Sequence, residues 1–168
     1  MKKIVIFFIS AFLLVGCTLG NNPTSKVEEL LGKYQRLENE IKDEIEVVLS
    51  SEDLTDIEKD RYRKLLEKQY KNLTYEIKNE REDGNKAIIT TQIEVIDYKK
   101  AIRQTDTYYA TNKNYTKEEY NNTKLINLEN MKEKVVYTIE FSVTKDNNGV
   151  WSVDGLSDME KKKIQGMY

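Results

Sequence analysis

The feature that most constrains this chain is a change of apolar period partway along it. Val27, Leu30, Leu31, Tyr34, Leu37, Ile41, Ile45 and Val48 recur at spacings of three and four, which puts them on one face of a helix. From Leu73 the period drops to two, with Leu73, Tyr75 and Ile77 alternating with Thr74, Glu76 and Lys78. Ala87, Ile89, Thr91, Ile93 and Val95 alternate with Thr90, Gln92 and Glu94, with Ile88 and Ile96 as exceptions near the two ends. Val135, Tyr137, Ile139, Phe141 and Val143 alternate with Val136, Thr138, Glu140, Ser142 and Thr144. A chain that carries both periods must pack helices against half-buried strands, and their order predicts an α+β fold.

Local signals divide the pattern into elements. Ser25-Lys26-Val27-Glu28 reads as a capping box that opens one long helix to about residue 49, and Thr55-Asp56-Ile57-Glu58 opens a second. The link Ser50–Asp53 is short, so the two helices are expected to fold back as a hairpin. Glu82-Asp83-Gly84-Asn85 marks a tight turn between two strands. Tyr98–Asn114 is weakly apolar and is compatible with a helix, and Thr116-Lys117-Glu118-Glu119 caps another. Asp146-Asn147-Asn148-Gly149 turns a second hairpin onto Val150-Trp151-Ser152-Val153, and Asp158–Gln165 closes the chain as a short helix. The expected domain spans residues 25–168. It has an N-terminal helical hairpin, with further helices packed on one face of a curved four-stranded antiparallel sheet. The two hairpins share a pattern but not a sequence, so the chain holds no internal repeat.

The N-terminus carries a different kind of signal. Met1-Lys2-Lys3 precedes an apolar run from Ile4 to Val15 broken by Ser10. That run is shorter than the roughly 20 residues a spanning helix needs and reads as a secretory signal. Leu14-Val15-Gly16-Cys17 resembles the bacterial lipobox. The resemblance implies a diacylglyceryl thioether on Cys17 and cleavage after Gly16, making residues 1–16 a signal peptide and 17–24 a lipidated cysteine with a short tether. Two acyl chains hold a protein stably at a bilayer where one does not. The expected location is therefore the extracytoplasmic face of the cell membrane. Abundant Lys, Asn and Ile, whose codons are AT-rich, point to a low-GC Gram-positive source.

Composition excludes several classes of function. Histidine is absent and Cys17 is the only cysteine, which removes internal disulfides, Cys/His nucleophiles and Cys/His zinc sites. Cleavage removes two of the 27 basic residues, Lys2 and Lys3, and against 29 acidic residues the mature net charge is −4. That balance does not suit nucleic-acid binding. No cofactor or metal is expected, no catalytic residue can be assigned, and the chain is read as a non-enzyme.

Three stretches, Gln69–Ile77, Ile93–Tyr98 and Trp151–Asp158, look like a group of uncharacterised lipoproteins from low-GC Gram-positive bacteria. This likeness covers most of the mature chain. The tryptophan strand followed by a short helix ending at Gly166 resembles nuclear-transport-factor-two-like (cystatin-like) domains, which implies a curved sheet that often cups a pocket. Neither resemblance supplies a catalytic motif.

Four constellations have both a functional and a structural reading. Glu76, Glu94 and Glu140 could align as an acidic stripe for a cation or basic partner, or decorate a solvated sheet face. Tyr98, Tyr108, Tyr109, Tyr115 and Tyr120 could line a pocket or simply pack helices together. Trp151 is a pocket wall or a core anchor. Glu38, Glu40, Lys42 and Glu44 form a solvated helix face or a partner surface. Asn-x-Thr triplets at Asn72, Asn114 and Asn121 are chance in a bacterial chain rich in both residues. The expected function is non-catalytic binding of a small ligand or a neighbouring envelope protein. The alternatives are a carboxylate-based enzyme with a pocket on the sheet, or a structural accessory subunit of an envelope complex.

Overall fold

A computed structural model describes residues 20–168. The signal peptide and the lipidation expected at Cys17 lie outside those residues. The order is α1 (Pro23–Arg36), α2 (Asn39–Ser51), α3 (Asp56–Lys71), β1 (Thr74–Asp83), β2 (Lys86–Ile96), α4 (Tyr98–Thr111), α5 (Lys117–Asn130), β3 (Lys134–Lys145), β4 (Trp151–Val153) and α6 (Asp158–Ile164). The fold is α+β, as the alternation of periods predicts.

The first helix begins earlier than Ser25. Asn22 is its N-cap: the Asn22 side chain accepts from Ser25 N at 2.8 Å, and Ser25 Oγ accepts from Asn22 N at 3.3 Å. Ser25 therefore occupies the third helical position rather than the cap. Pro23 takes the first position, where its missing N–H costs nothing. The tether expected up to residue 24 is shortened accordingly. Asn21 is already fixed, donating to Gly149 O at 2.7 Å and accepting from Trp151 N at 2.9 Å.

The predicted single long helix is two helices. Leu37 breaks it in the left-handed conformation, at φ 51° and ψ 53°. Glu38 N donates to Lys33 O and Leu37 N to Tyr34 O, both at 3.1 Å, which satisfies the carbonyls left open at the end of α1 as a Schellman-type cap does. Glycine usually fills such a position because a Cβ costs roughly 1–2 kcal/mol there. Leu37 is nonetheless buried, and burying a leucine returns about 1.5–3 kcal/mol. The bend leaves α1 along the sheet and α2 against α3, so the expected two-helix hairpin is a three-helix N-terminal layer.

The sheet order is β1-β2-β3-β4, antiparallel throughout. The odd-numbered residues of β2 and β3 form its core face, where Ile89, Ile93, Ile139, Phe141 and Val143 are each at most 1 % exposed. Val27 and Leu31 of α1 and Leu65, Leu66 and Tyr70 of α3 belong to the same core. A bulge at Lys78 shifts the register of β1, and beyond it the edge strand is exposed and charged, which guards it against pairing with another chain. The tight turn uses Gly84-Asn85 as its loop pair, since Asp83 still pairs with Lys86. Gly84 supplies the positive φ, at 62°.

One buried amide joins three elements at the end of the sheet away from that turn. Gln69 Oε1 accepts from Ile96 N at 3.0 Å, while Nε2 donates to Ile96 O at 2.8 Å and to Gln165 O at 2.9 Å. Gly166 completes the join at φ 71°, and a β-carbon there would overlap the Ile96 carbonyl oxygen and the Gln69 amide. Lys99 N donates to Gly166 O at 2.8 Å, tying the start of α4 to the same turn.

Two predictions follow from this packing. Gln69→Leu, which leaves buried backbone groups unpaired, and Gly166→Ala should each lower unfolding stability by about 2–4 kcal/mol in urea titrations. Gly155→Ala, where nothing lies within 4 Å of the added carbon, should change it by less than about 0.5 kcal/mol. The second prediction concerns alkali. Burial raises the pKa of Tyr34, Tyr62, Tyr70 and Tyr98 above the usual tyrosine value. Unfolded tyrosines ionise near pH 10, so above that pH the folded state holds more protons and stability must fall. The slope reaches up to about 1.4 kcal/mol per pH unit for each such tyrosine. Thermal midpoints should hold steady to about pH 9.5 and then drop; a flat profile to pH 12 would contradict the buried, protonated state of these rings.

Candidate functional site

The three glutamates do share the outward face of the sheet, but on separate rungs. Glu76 stands opposite Gln92, Glu94 opposite Thr74 and Val136, and Glu140 opposite Thr90. Each has a basic partner: Lys78 for Glu76 at 2.5 Å, Lys134 for Glu94 at 2.7 Å and Arg81 for Glu140 at 3.5 Å. The face is a solvated mosaic of opposite charges, without a converging set of acids.

Four of the five tyrosines meet. Ring centroids lie 4.9 Å apart for Tyr108–Tyr109, 4.3 Å for Tyr109–Tyr115 and 5.5 Å for Tyr109–Tyr120. The buried Tyr109 is the hub; its hydroxyl donates to Glu119 O at 3.1 Å and lies 2.9 Å from Thr123 Oγ1. Tyr120 OH donates to Asp106 Oδ1 at 2.6 Å, and burial together with that carboxylate pushes its pKa up to about 12. These contacts staple the ends of α4 and α5 together. Tyr98 is not part of the cluster. It is fully buried, and its hydroxyl donates to Leu65 O at 3.1 Å.

Trp151 is a core anchor, 4 % exposed, with Lys145 Nζ 4.4 Å above its ring. On the first helical layer, Glu38 and Glu40 make exposed pairs with Arg36 and Lys33. Glu44 differs: it is largely buried, accepts from Tyr34 OH at 2.9 Å and lies 4.0 Å from Lys161 Nζ. It therefore connects α2 to α1 and α6 instead of facing solvent. A sheet pocket of the cystatin-like kind would have to be lined by the core face of β2 and β3. That face is packed with the aliphatic side chains and Phe141 described above, and α1 lies along the sheet.

The concave feature with the most distinctive chemistry is a groove of about 510 Å³ where the C-terminus of α3 meets the link between α5 and β3. Lys68 and Lys71 line it from the last turn of α3, Lys132 from the link after α5 and Lys134 from the start of β3. Leu73, Ile96 and Met131 form an apolar floor, and no acidic residue lines it. Lys134 is paired with Glu94. Among the described residues, Lys68, Lys71 and Lys132 have no carboxylate within ion-pair distance. Gln35, at the end of α1, holds the groove's shape by donating to Leu73 O at 2.8 Å. No sequence signal marks this site, because its lysines come in two pairs some sixty positions apart in a lysine-rich chain. No group of three or more metal-ligating side chains occurs among the described residues.

The tyrosine staple can be tested directly. Tyr109→Phe keeps the ring contacts and removes two hydrogen-bonded neighbours, and should cost about 1 kcal/mol. Tyr109→Ala should cost about 3–4 kcal/mol. Amide exchange should rise in α4 and α5 before it rises in β2 or β3.

No family model matches this chain, and no curated protein matches it either. Among solved structures, the chain is similar to a putative lipoprotein (ycdA) from Bacillus subtilis, at 15 % identity and a TM-score of 0.43. The match covers 84 % of this chain and 46 % of that one, so the chain spans about half the length of this neighbour.

Proposed function

We propose that the chain is a lipid-anchored, extracytoplasmic binding domain, held at the membrane through Cys17 and without a catalytic centre. The observation that carries this reading is the opposition of two ends of the fold. Asn21 is pinned to Gly149 and Trp151 at the hairpin-turn end of the sheet. The lysine groove lies at the other end, beside Leu73 and Ile96. Between them β2 runs from Lys86 to Ile96, a span of roughly 33 Å at about 3.3 Å per residue. Residues 17–20 extend to no more than about 14 Å. A lipid on Cys17 would therefore hold the turn end against the bilayer and present the groove outward.

Other features support binding over catalysis. A carboxylate enzyme on this sheet would need two acids converging in a cavity, and the face that would hold them is packed core. The polar outward face pairs each of its three singled-out glutamates with a cation. No helix among the described residues is long and apolar enough to cross a membrane.

Cys17→Ala tests the anchor. The wild-type chain should take up labelled fatty acid and sediment with membranes, whereas the variant should lose the label and appear in the medium or as an unprocessed precursor. Undiminished membrane retention of the variant would overturn the proposal.

A further inference from the structure

We infer that the groove between α3 and the start of β3 is a site for the phosphate groups of an extended, non-lipid polyanion outside the membrane. The inference rests on the reading above in one respect, that the groove faces away from the anchored end.

Its charge is the first argument. The mature chain is net negative, yet four ammonium groups border one groove of about 510 Å³ and no carboxylate lines it. Three of the four lack an acidic partner among the described residues. Like charges gathered without compensation repel one another, and a bound anion relieves that repulsion.

The choice of cation is the second argument. Two-nitrogen grips on a carboxylate are made here by arginine: Arg61 holds Glu129 at 2.8 and 3.0 Å, and Arg63 holds Glu46 at 2.6 and 3.0 Å. No arginine lines the groove. Lysine ammoniums are compact point charges with freely rotating donors. They meet the several equivalent oxygens of a phosphate as point charges, without needing a matched bidentate geometry.

Shape and placement are the third. Lys68 and Lys71 stand one helical turn apart on one wall, while Lys132 and Lys134 form the other, so the positive charge is spread along two borders instead of being focused on one point. An open channel with charged borders accommodates a chain of phosphates. Its position, about 30 Å along the sheet from the anchored end, keeps it off the headgroups of the bilayer to which the chain is attached.

The test titrates the full-length chain, purified in a non-ionic detergent, with three probes: inorganic polyphosphate, polyglutamate of equal charge, and dihexanoylphosphatidylglycerol as a soluble lipid headgroup. Polyphosphate should bind best, and added salt should weaken it. The triple variant Lys68→Gln, Lys71→Gln, Lys132→Gln should bind polyphosphate at least about tenfold more weakly. A control triple at Lys42, Lys86 and Lys113, all exposed and outside the groove, should stay within about twofold of wild type, since charge removed far from the site is screened. Equal loss in both triples would overturn the inference, as would equal or tighter binding of polyglutamate, displacement of polyphosphate by the lipid headgroup, or no binding at all. If the groove variant fails to fold, amide shifts of the wild-type chain decide instead. Polyphosphate must move Leu73, Ile96 and Lys132 and leave the Gly84 turn still. Anchoring is read by the Cys17 label alone, so either proposal can fail without the other.

Discussion

The far end of the sheet depends on the side chain of Gln69. Its amide is buried, and every bond it makes goes to main chain: both polar groups of Ile96 and the carbonyl of Gln165. Three elements distant in sequence therefore meet through one planar group whose donor and acceptor are fixed in space. The last core strand position of β2, the turn after α6 and the C-terminal turn of α3 cannot shift independently. The groove inherits its floor from the same join, since Ile96 and Leu73 border it. In a low-dielectric interior a fully satisfied amide of this kind is rigid, and a partly satisfied one is costly.

Much of the architecture is legible in the sequence because it is local. The capping boxes Thr55–Glu58 and Thr116–Glu119 close as read, with Thr55 N to Glu58 Oε2 at 2.8 Å and Thr116 N to Glu119 Oε2 at 2.7 Å. The alternating runs give both hairpins and the buried face of β2 and β3. The departures come where tertiary packing overrides a local pattern. Ser25 offers a capping signal, but Asn22 and Pro23 offer an earlier one, and the contact of Asn21 with Trp151 favours it. The apolar spacing runs unbroken through Leu37 because its side chain stays in the core while its backbone leaves the helix. Periodicity records burial and is blind to that turn.

The candidate sites show the same division. A sequence can mark tyrosines as close along the chain, and four of them do meet. It cannot mark Tyr98 as the outlier, since its partner is a carbonyl in α3. Strand register decided the fate of Glu76, Glu94 and Glu140, and register is a property of pairing, not of composition. The lysine groove stayed invisible for a related reason. Its four lysines border one groove only because α3 ends beside the link into β3, and each resembles the many other surface lysines of this chain.

The hold of Asn21 on Gly149 and Trp151 also bears on how the protein comes to be folded. Those contacts join residues 128 and 130 positions apart, and α1 packs on β4 as well as on the three longer strands. During synthesis the N-terminal segment emerges first, so the part of the α1 surface that β4 covers waits until nearly the whole chain has appeared. Long-range closure of this kind slows folding. In the interval the apolar stripe of α1, with Val27 and Leu31 at its centre, lacks the cover of β4. A chaperone would meet an amphipathic helix only partly covered, and its burial is complete only when the last strand arrives.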